Sequence, residues 1–181
     1  MRQLKKSLLS SCFMVGAVLL FMSFISPKEE WYTHSNKTYK IDYPMAWKLD
    51  TTANNYGVSF FLFAPLENDS DTFRENINLI VQDPGEEKIT LEEFVKISTD
   101  QIKNMLSASA ILRSEKITSG GKEGWKIIYE GNQSKKELKW QQYYWVVDNK
   151  AYVLTFTAEQ SSYSLFEPVA QRIMESFLFR Q

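Results

Sequence analysis

The chain has 181 residues, with 21 Lys and Arg against 22 Asp and Glu, so its formal net charge at pH 7 is −1. Its 44% hydrophobic and 14% aromatic content is enough for a packed core and excludes a disordered or collagen-like chain. One His and one Cys exclude a multi-histidine zinc site, an internal disulfide and a thiolate cluster, and the near-zero charge lacks the basic field of a nucleic-acid-binding protein.

The N-terminus has the pattern of an export segment. Arg2, Lys5 and Lys6 precede residues 7–26, a stretch without a charged side chain. As a helix this stretch would be about 30 Å long, which matches the hydrocarbon core of a bilayer. The cationic residues before it satisfy the positive-inside bias, so we expect the rest of the chain on the extracytoplasmic side of a membrane.

The sequence leaves open whether this segment is retained. Bulky Phe24 and Ile25 stand where a secretory signal needs small residues, which favours a retained anchor over a cleaved signal peptide. Residues 9–12 match a bacterial lipoprotein box, but Cys12 lies at the start of the apolar stretch instead of its end. We therefore interpret Cys12 as a small apolar residue of a membrane segment.

The chain divides into two regions on this basis. Residues 1–30 are predicted to be a signal anchor or signal peptide with a short linker, and residues 31–181 one globular domain. If the apolar segment is uncleaved, the protein is tethered to a membrane through residues 7–26; if it is cleaved, the domain is secreted or periplasmic.

Three strands are predicted before any helix, at residues 39–43, 58–64 and 77–81. The first alternates apolar and polar residues up to Pro44, and Trp47 and Leu49 extend its pattern beyond the turn. The second is almost continuously apolar, which predicts a strand that is covered on both faces.

A helix is predicted over residues 90–106. Thr90 and Glu93 form a capping-box pattern, in which each side chain satisfies the backbone N–H of the other residue. Apolar residues then recur mainly on one helical face, at Leu91, Phe94, Val95, Ile102, Met105 and Leu106.

The rest of the chain predicts four more strands and a final helix. The strands lie at residues 111–117, 124–129, 138–147 and 151–157, with Gly120-Gly121 and Asp148-Asn149 as turns. The helix follows from the spacing of Phe166, Val169, Ile173 and Phe177, with Pro168 near its beginning, where a missing N–H costs little. This order predicts an α+β fold, a central antiparallel sheet of about six to seven strands flanked by helices, plus the N-terminal apolar helix.

Several runs, in this order, resemble the PsbP-like (Mog1/PsbP) family: Tyr39–Pro44 with Trp47, Phe73–Leu79, Thr90–Phe94, Gly124–Tyr129, Tyr152–Thr157 and a terminal helix ending Met174–Phe177. The resemblance covers nearly all of the exported part and implies an α/β/α sandwich with a non-catalytic role as an accessory, assembly or binding subunit. Some members resemble nuclear factors that bind a small GTPase, but the export segment favours a bacterial envelope relative with an envelope protein as its partner.

The residues that could carry chemistry are few. His34, the only imidazole, lies just beyond the export segment, where we expect a solvated linker and not a held catalytic base. Glu67, Asp69, Asp71 and Glu75 offer oxygen ligands for weak divalent binding, but the calcium-loop pattern is incomplete and a solvated loop is the expectation. We therefore expect no catalytic residue, no cofactor and no metal.

An aromatic run is the candidate surface for a ligand or partner, namely Trp125, Trp140, Tyr143 and Trp145. Exposed rings beside lysines could hold a sugar, whereas the alternative is that the rings pack on the two faces of a sheet.

The predicted function is a non-enzymatic accessory or protein-binding subunit of a bacterial envelope complex. The alternative is an exported small-ligand or polysaccharide-binding domain, and a hydrolase would need two facing carboxylates or an activated Ser.

Overall fold

A computed structural model describes residues 29–52, 57–85 and 87–180, so the predicted apolar helix of residues 7–26 and Cys12 lie outside the described residues. The described elements, in chain order, are β1 (Trp31–Ser35), β2 (Tyr39–Pro44), β3 (Lys48–Asp50), β4 (Val58–Phe63), β5 (Asn76–Gln82), α1 (Leu91–Met105), β6 (Ser107–Ser119), β7 (Lys122–Gln133), β8 (Lys136–Val147), β9 (Lys150–Glu159), α2 (Tyr163–Glu175) and β10 (Leu178–Phe179).

The centre of the domain is a seven-stranded sheet in the order β3-β4-β5-β9-β8-β7-β6. All of its strand pairs are antiparallel. Short turns join neighbouring strands of this sheet. Asp148 and Asn149 connect β8 to β9 with φ of 50° and 58°, and Gly120 and Gly121 connect β6 to β7 with φ of 62° and 75°. The predicted α+β fold with a central antiparallel sheet is confirmed.

A second sheet, of three strands in the order β1-β2-β10, was not predicted. It includes His34, which lies in β1 with its ring 5.8 Å from that of Phe60 and 6.1 Å from that of Tyr39. Partial burial lowers the pKa of His34 below its ordinary value. The prediction of a solvated linker at this position is wrong, because β1 pairs with β2 along its whole length.

The two helices lie in separate cores on opposite faces of the central sheet, which we call the α1 face and the α2 face. The α2 core also includes residues of β2, so the three-stranded sheet covers part of that face. On the other face α1 packs against β6, β7 and β8. Four residues of its predicted apolar stripe are buried there, namely Leu91, Phe94, Val95 and Ile102, whereas Met105 of the same stripe is 79% exposed.

Strand β4 is covered less completely than its sequence predicts. Phe60 and Leu62 are fully buried on the α2 face, whereas Phe61 and Phe63 on the α1 face are only half-buried and stack on each other at 5.3 Å. The prediction of a strand covered on both faces is wrong here because α1 packs over the opposite end of the sheet.

The final helix begins earlier than its apolar spacing suggests. It starts at Tyr163, so Pro168 lies in the second turn and leaves the exposed Ser164 carbonyl without its helical donor. Of the two helices in the described ranges, neither is long and apolar enough to cross a membrane.

The capping box of α1 gives the first test. The Thr90 hydroxyl accepts a hydrogen bond from the Glu93 backbone N–H at 3.2 Å, and the Thr90 N–H donates to the Glu93 carboxylate at 2.9 Å. Replacing Thr90→Ala should lower the free energy of unfolding by about 1 kcal/mol in urea denaturation. Thr90→Ser keeps the hydroxyl and should retain most of the stability; equal stability of all three proteins would contradict the role of the cap.

Candidate functional site

The candidate site is a groove between α1 and the central sheet. A helix with its side chains is about 10–12 Å wide, whereas the seven strands span roughly 29 Å. Because α1 packs over β6, β7 and β8, it leaves the sheet towards β9 and β5 uncovered, and a cavity of about 270 Å³ lies between α1 and strands β7, β8, β9 and β5. The groove is thus a direct result of the width of the sheet.

The floor of the cavity is rigid and apolar. Trp140 and Tyr129 are buried side by side, with ring centroids 5.0 Å apart and planes at 16°. Tyr144 lies on the same face of β8, beyond Gln142, and meets the ring of Phe94 from α1 edge-on at 6.0 Å. Stacked rings of this kind give a floor with little freedom to rearrange.

Neutral amides and a hydroxyl supply the polar groups of the lining. The Gln142 amide is held in one orientation, since it donates to the Thr155 hydroxyl at 3.1 Å and accepts from the Tyr144 hydroxyl. Four more polar side chains of the lining make no side-chain hydrogen bond within the described structure, namely Gln82, Ser98, Gln101 and Gln133. Their donors and acceptors are therefore available to a bound molecule.

The described lining of this cavity carries no carboxylate, ammonium, guanidinium, imidazole or thiol. Its titratable groups are the phenols of Tyr129 and Tyr144, and burial raises the pKa of each well above the ordinary value. Both phenols therefore stay neutral at physiological pH, and no base lines the cavity beside Ser98. Such a lining can bind a molecule through hydrogen bonds and apolar contact.

The groove continues along α1 beyond this cavity. A second depression of about 620 Å³ shares Gln82, Phe94 and Gln101 with the first and extends to Ile97 and the loop after β5. Ile97 is 48% exposed and Met105 79% exposed, and they border the two depressions. The combined groove follows the side of α1 and has exposed apolar side chains along its border.

The structure divides the predicted aromatic surface between two faces. Trp125 and Trp140 lie on the α1 face, where Trp140 lines the groove and the half-buried Trp125 donates to the Ser114 hydroxyl at 2.9 Å. Tyr143 and Trp145 are buried on the α2 face. The four rings therefore form no single platform, and only Trp140 belongs to the groove.

The carboxylates of the acidic loop before β5 have different partners. Asp71 accepts the backbone N–H groups of Phe73 and Glu67, at 2.9 and 3.1 Å, which holds the pKa of Asp71 below its ordinary value. Glu75 is buried and accepts a hydrogen bond from Ser162. Among the described residues, no three His, Cys, Asp or Glu side chains come together to hold a metal ion.

The amides of the groove were missed from the sequence because neutral polar residues have no diagnostic spacing. Gln101 stands one position before Ile102, at the border of the apolar stripe of α1. Gln142 interrupts the aromatic run of β8, which is the one local sign that this strand face is not simply a core.

Neither a protein-family model nor a curated protein matches the chain. Among solved structures, cyanobacterial PsbP (CyanoP) from Synechocystis sp. PCC 6803 aligns with a TM-score of 0.58 and 16% identity, over 95% of this chain and 99% of that one. The domain has a PsbP-like fold.

Two further structures share this PsbP-like fold. LpqN, involved in cell envelope biogenesis of Mycobacterium tuberculosis, aligns with a TM-score of 0.65 and 15% identity over 85% of this chain and 91% of its own. PA94 from Pseudomonas aeruginosa, a protein of unknown function, aligns at 0.61 and 12% identity over 83% and 98%. The predicted resemblance is confirmed for the fold, which at these identities does not define the function.

The buried phenol of Tyr129 predicts a loss of stability in alkali. Below pH 10 this phenol is protonated in both the folded and the unfolded chain. Above pH 10 the unfolded chain releases the proton while the folded chain keeps it, so the free energy of unfolding falls, by up to about 1.4 kcal/mol per pH unit.

Tyr129→Phe should remove this contribution, so its unfolding free energy should fall less steeply than that of the wild type between pH 10 and pH 11, as followed by urea denaturation. The control is the range below pH 9, where this phenol is protonated in both states and the two proteins should change in parallel. Equal slopes for the wild type and Tyr129→Phe between pH 10 and pH 11 would contradict the assignment.

Proposed function

We propose that this protein is a non-enzymatic accessory subunit of a bacterial envelope complex, and that its PsbP-like domain binds a partner protein through the groove beside α1. The observation that carries this proposal is the lining of the groove, in which Gln82, Gln101 and Gln133 offer amides without partners among the described residues, beside a buried aromatic floor. Such a surface gains most from a partner that brings both hydrogen-bonding and apolar groups.

An extracytoplasmic location is part of the proposal. Residues 7–26 form an uncharged apolar segment that follows three cationic residues, as expected of an export signal or a retained anchor. The shared fold with LpqN, a protein of cell envelope biogenesis, supports the same compartment. We expect the segment to tether the domain to the membrane.

A segment of a protein partner fits the shape and chemistry of the groove. A side-chain amide presents one donor group and one acceptor, which match those of a peptide backbone. Helix α1 has 15 residues and is roughly 22 Å long, about the length of six or seven residues of an extended chain. Exposed Ile97 and Met105 on its border would be covered by such a partner.

The smaller cavity favours a second candidate function, the binding of a small uncharged ligand such as a sugar unit of a polysaccharide. Its volume of about 270 Å³ is near the lower limit of ligand pockets. Aromatic rings and neutral amides are suited to a molecule with apolar C–H faces and hydroxyl groups.

Blocking the groove tests the leading proposal. The tagged full-length chain is purified from detergent-solubilised membranes of its native cells, and the proteins that come with it are quantified by mass spectrometry. Gln101→Trp fills the groove, whereas Lys103→Trp adds the same ring to an exposed position of α1 outside both depressions. A partner should be recovered with the wild type and with Lys103→Trp but lost with Gln101→Trp. A strictly solitary protein, or equal recovery with both variants, would contradict the proposal.

Calorimetric titration separates the second candidate from the first. Neutral oligosaccharides such as maltohexaose and chitohexaose are titrated into the full chain, with Gln101→Trp and Lys103→Trp as before. Saturable heat that Gln101→Trp abolishes and Lys103→Trp retains would support sugar binding. No heat with any sugar, together with recovery of a protein partner, would decide against it.

A further inference from the structure

A second exposed patch lies where the described chain begins, in the layer of the domain opposite α1. Tyr32 is 49% exposed and Met45 is 53% exposed. The Met45 N–H donates to the Glu30 carbonyl at 2.9 Å, which holds the turn after β2 against the start of β1. The Arg172 guanidinium of α2 lies 3.9 Å from the ring centroid of Trp31. We call Trp31, Tyr32, Met45 and Arg172 the β1 patch.

The position of this patch along the chain limits its distance from the apolar segment. Only residues 27–30 separate the segment of residues 7–26 from Trp31. Even a fully extended backbone spans at most about 3.6 Å per residue, so Trp31 lies within roughly 18 Å of Ser26. The polar headgroup layer occupies about 5–8 Å on each side of a bilayer. If the segment is held in a bilayer, the β1 patch is therefore within reach of the headgroups.

The chemistry of the patch suits that boundary. Trp and Tyr are enriched where membrane and water meet, because their rings are apolar and their N–H or O–H groups are polar. The cation of Arg172 is available to a lipid phosphate beside the Trp31 ring. The nearest acids, Glu29 and Glu30, are exposed and belong to the connection itself, and the Glu29 carboxylate accepts from the Trp31 indole at 3.3 Å. This mixture of charges favours contact through the aromatic rings over attraction to anionic lipid.

We propose that the β1 patch rests on the lipid headgroups on the outer side of the membrane that holds residues 7–26. The groove beside α1 lies in the opposite layer of the central sheet and would then open away from the bilayer, towards partners in the envelope. This orientation rests on the proposed tether, and the experiment reports on the tether and on the orientation separately.

Two exposed methionines provide a matched pair of probes, Met45 in the β1 patch and Met105 at the border of the groove. The full-length chain with Cys12→Ser carries either Met45→Cys or Met105→Cys, each labelled with an environment-sensitive fluorophore. Each labelled protein is reconstituted into vesicles of four parts phosphatidylcholine to one part phosphatidylglycerol, with or without headgroup spin-labelled lipid. At position 45 we expect the emission to shift to the blue in the vesicles and to be quenched by the spin-labelled lipid. At position 105 we expect the emission of a water-exposed fluorophore, without quenching.

Carbonate extraction of the same vesicles measures the tether alone. A chain that resists extraction but shows equal quenching at the two positions, or none at position 45, would overturn the orientation and leave the tether standing. A chain that carbonate removes would overturn both the tether and the orientation. Far-ultraviolet circular dichroism of each labelled protein in detergent confirms that the probes have not unfolded the domain.

Discussion

The width of the central sheet determines most of this architecture. A helix of about 10–12 Å can cover little more than a third of seven strands that span roughly 29 Å. Each face of the sheet carries one described helix, so each needs a second covering element or must remain partly open. The apolar strand faces that a helix leaves uncovered can be buried only by another element of the chain or by a bound molecule.

The two faces meet this demand differently. On the α2 face the two ends of the domain return as the three-stranded sheet, and Tyr39, Phe60 and Phe177 join it to the central sheet through close aromatic contacts. On the α1 face no second element of the described chain closes the space beside the helix, so Phe61 and Phe63 remain half-buried and the groove stays open. The chain thus closes the α2 face itself and leaves a groove on the α1 face.

The elements with a strong local signal could be predicted from the sequence. Thr90 and Glu93 define the start of α1 because a capping box is a local contact, and Asp148-Asn149 define a hairpin because their backbone angles are a local preference. Strands β1 and β10 could not be predicted in this way, since a pattern such as Trp31–Ser35 has little alternation and is held by pairing with β2. The groove was missed for a related reason: it depends on how far α1 extends across the sheet, which no local pattern encodes.

The uncovered face carries a further constraint on whatever binds there. Gln82, Gln101 and Gln133 line the groove near the aromatic floor, and their side-chain amides make no side-chain hydrogen bond within the described structure. Under a purely apolar partner these amides would lose their hydrogen bonds to water without replacement, at a cost of about 1–3 kcal/mol for each unsatisfied group. A partner that fits the proposed function must therefore bring hydrogen-bonding groups opposite these amides as well as apolar surface. On that proposal the groove would select its partner by polar pattern, and a nonspecific apolar surface is disfavoured.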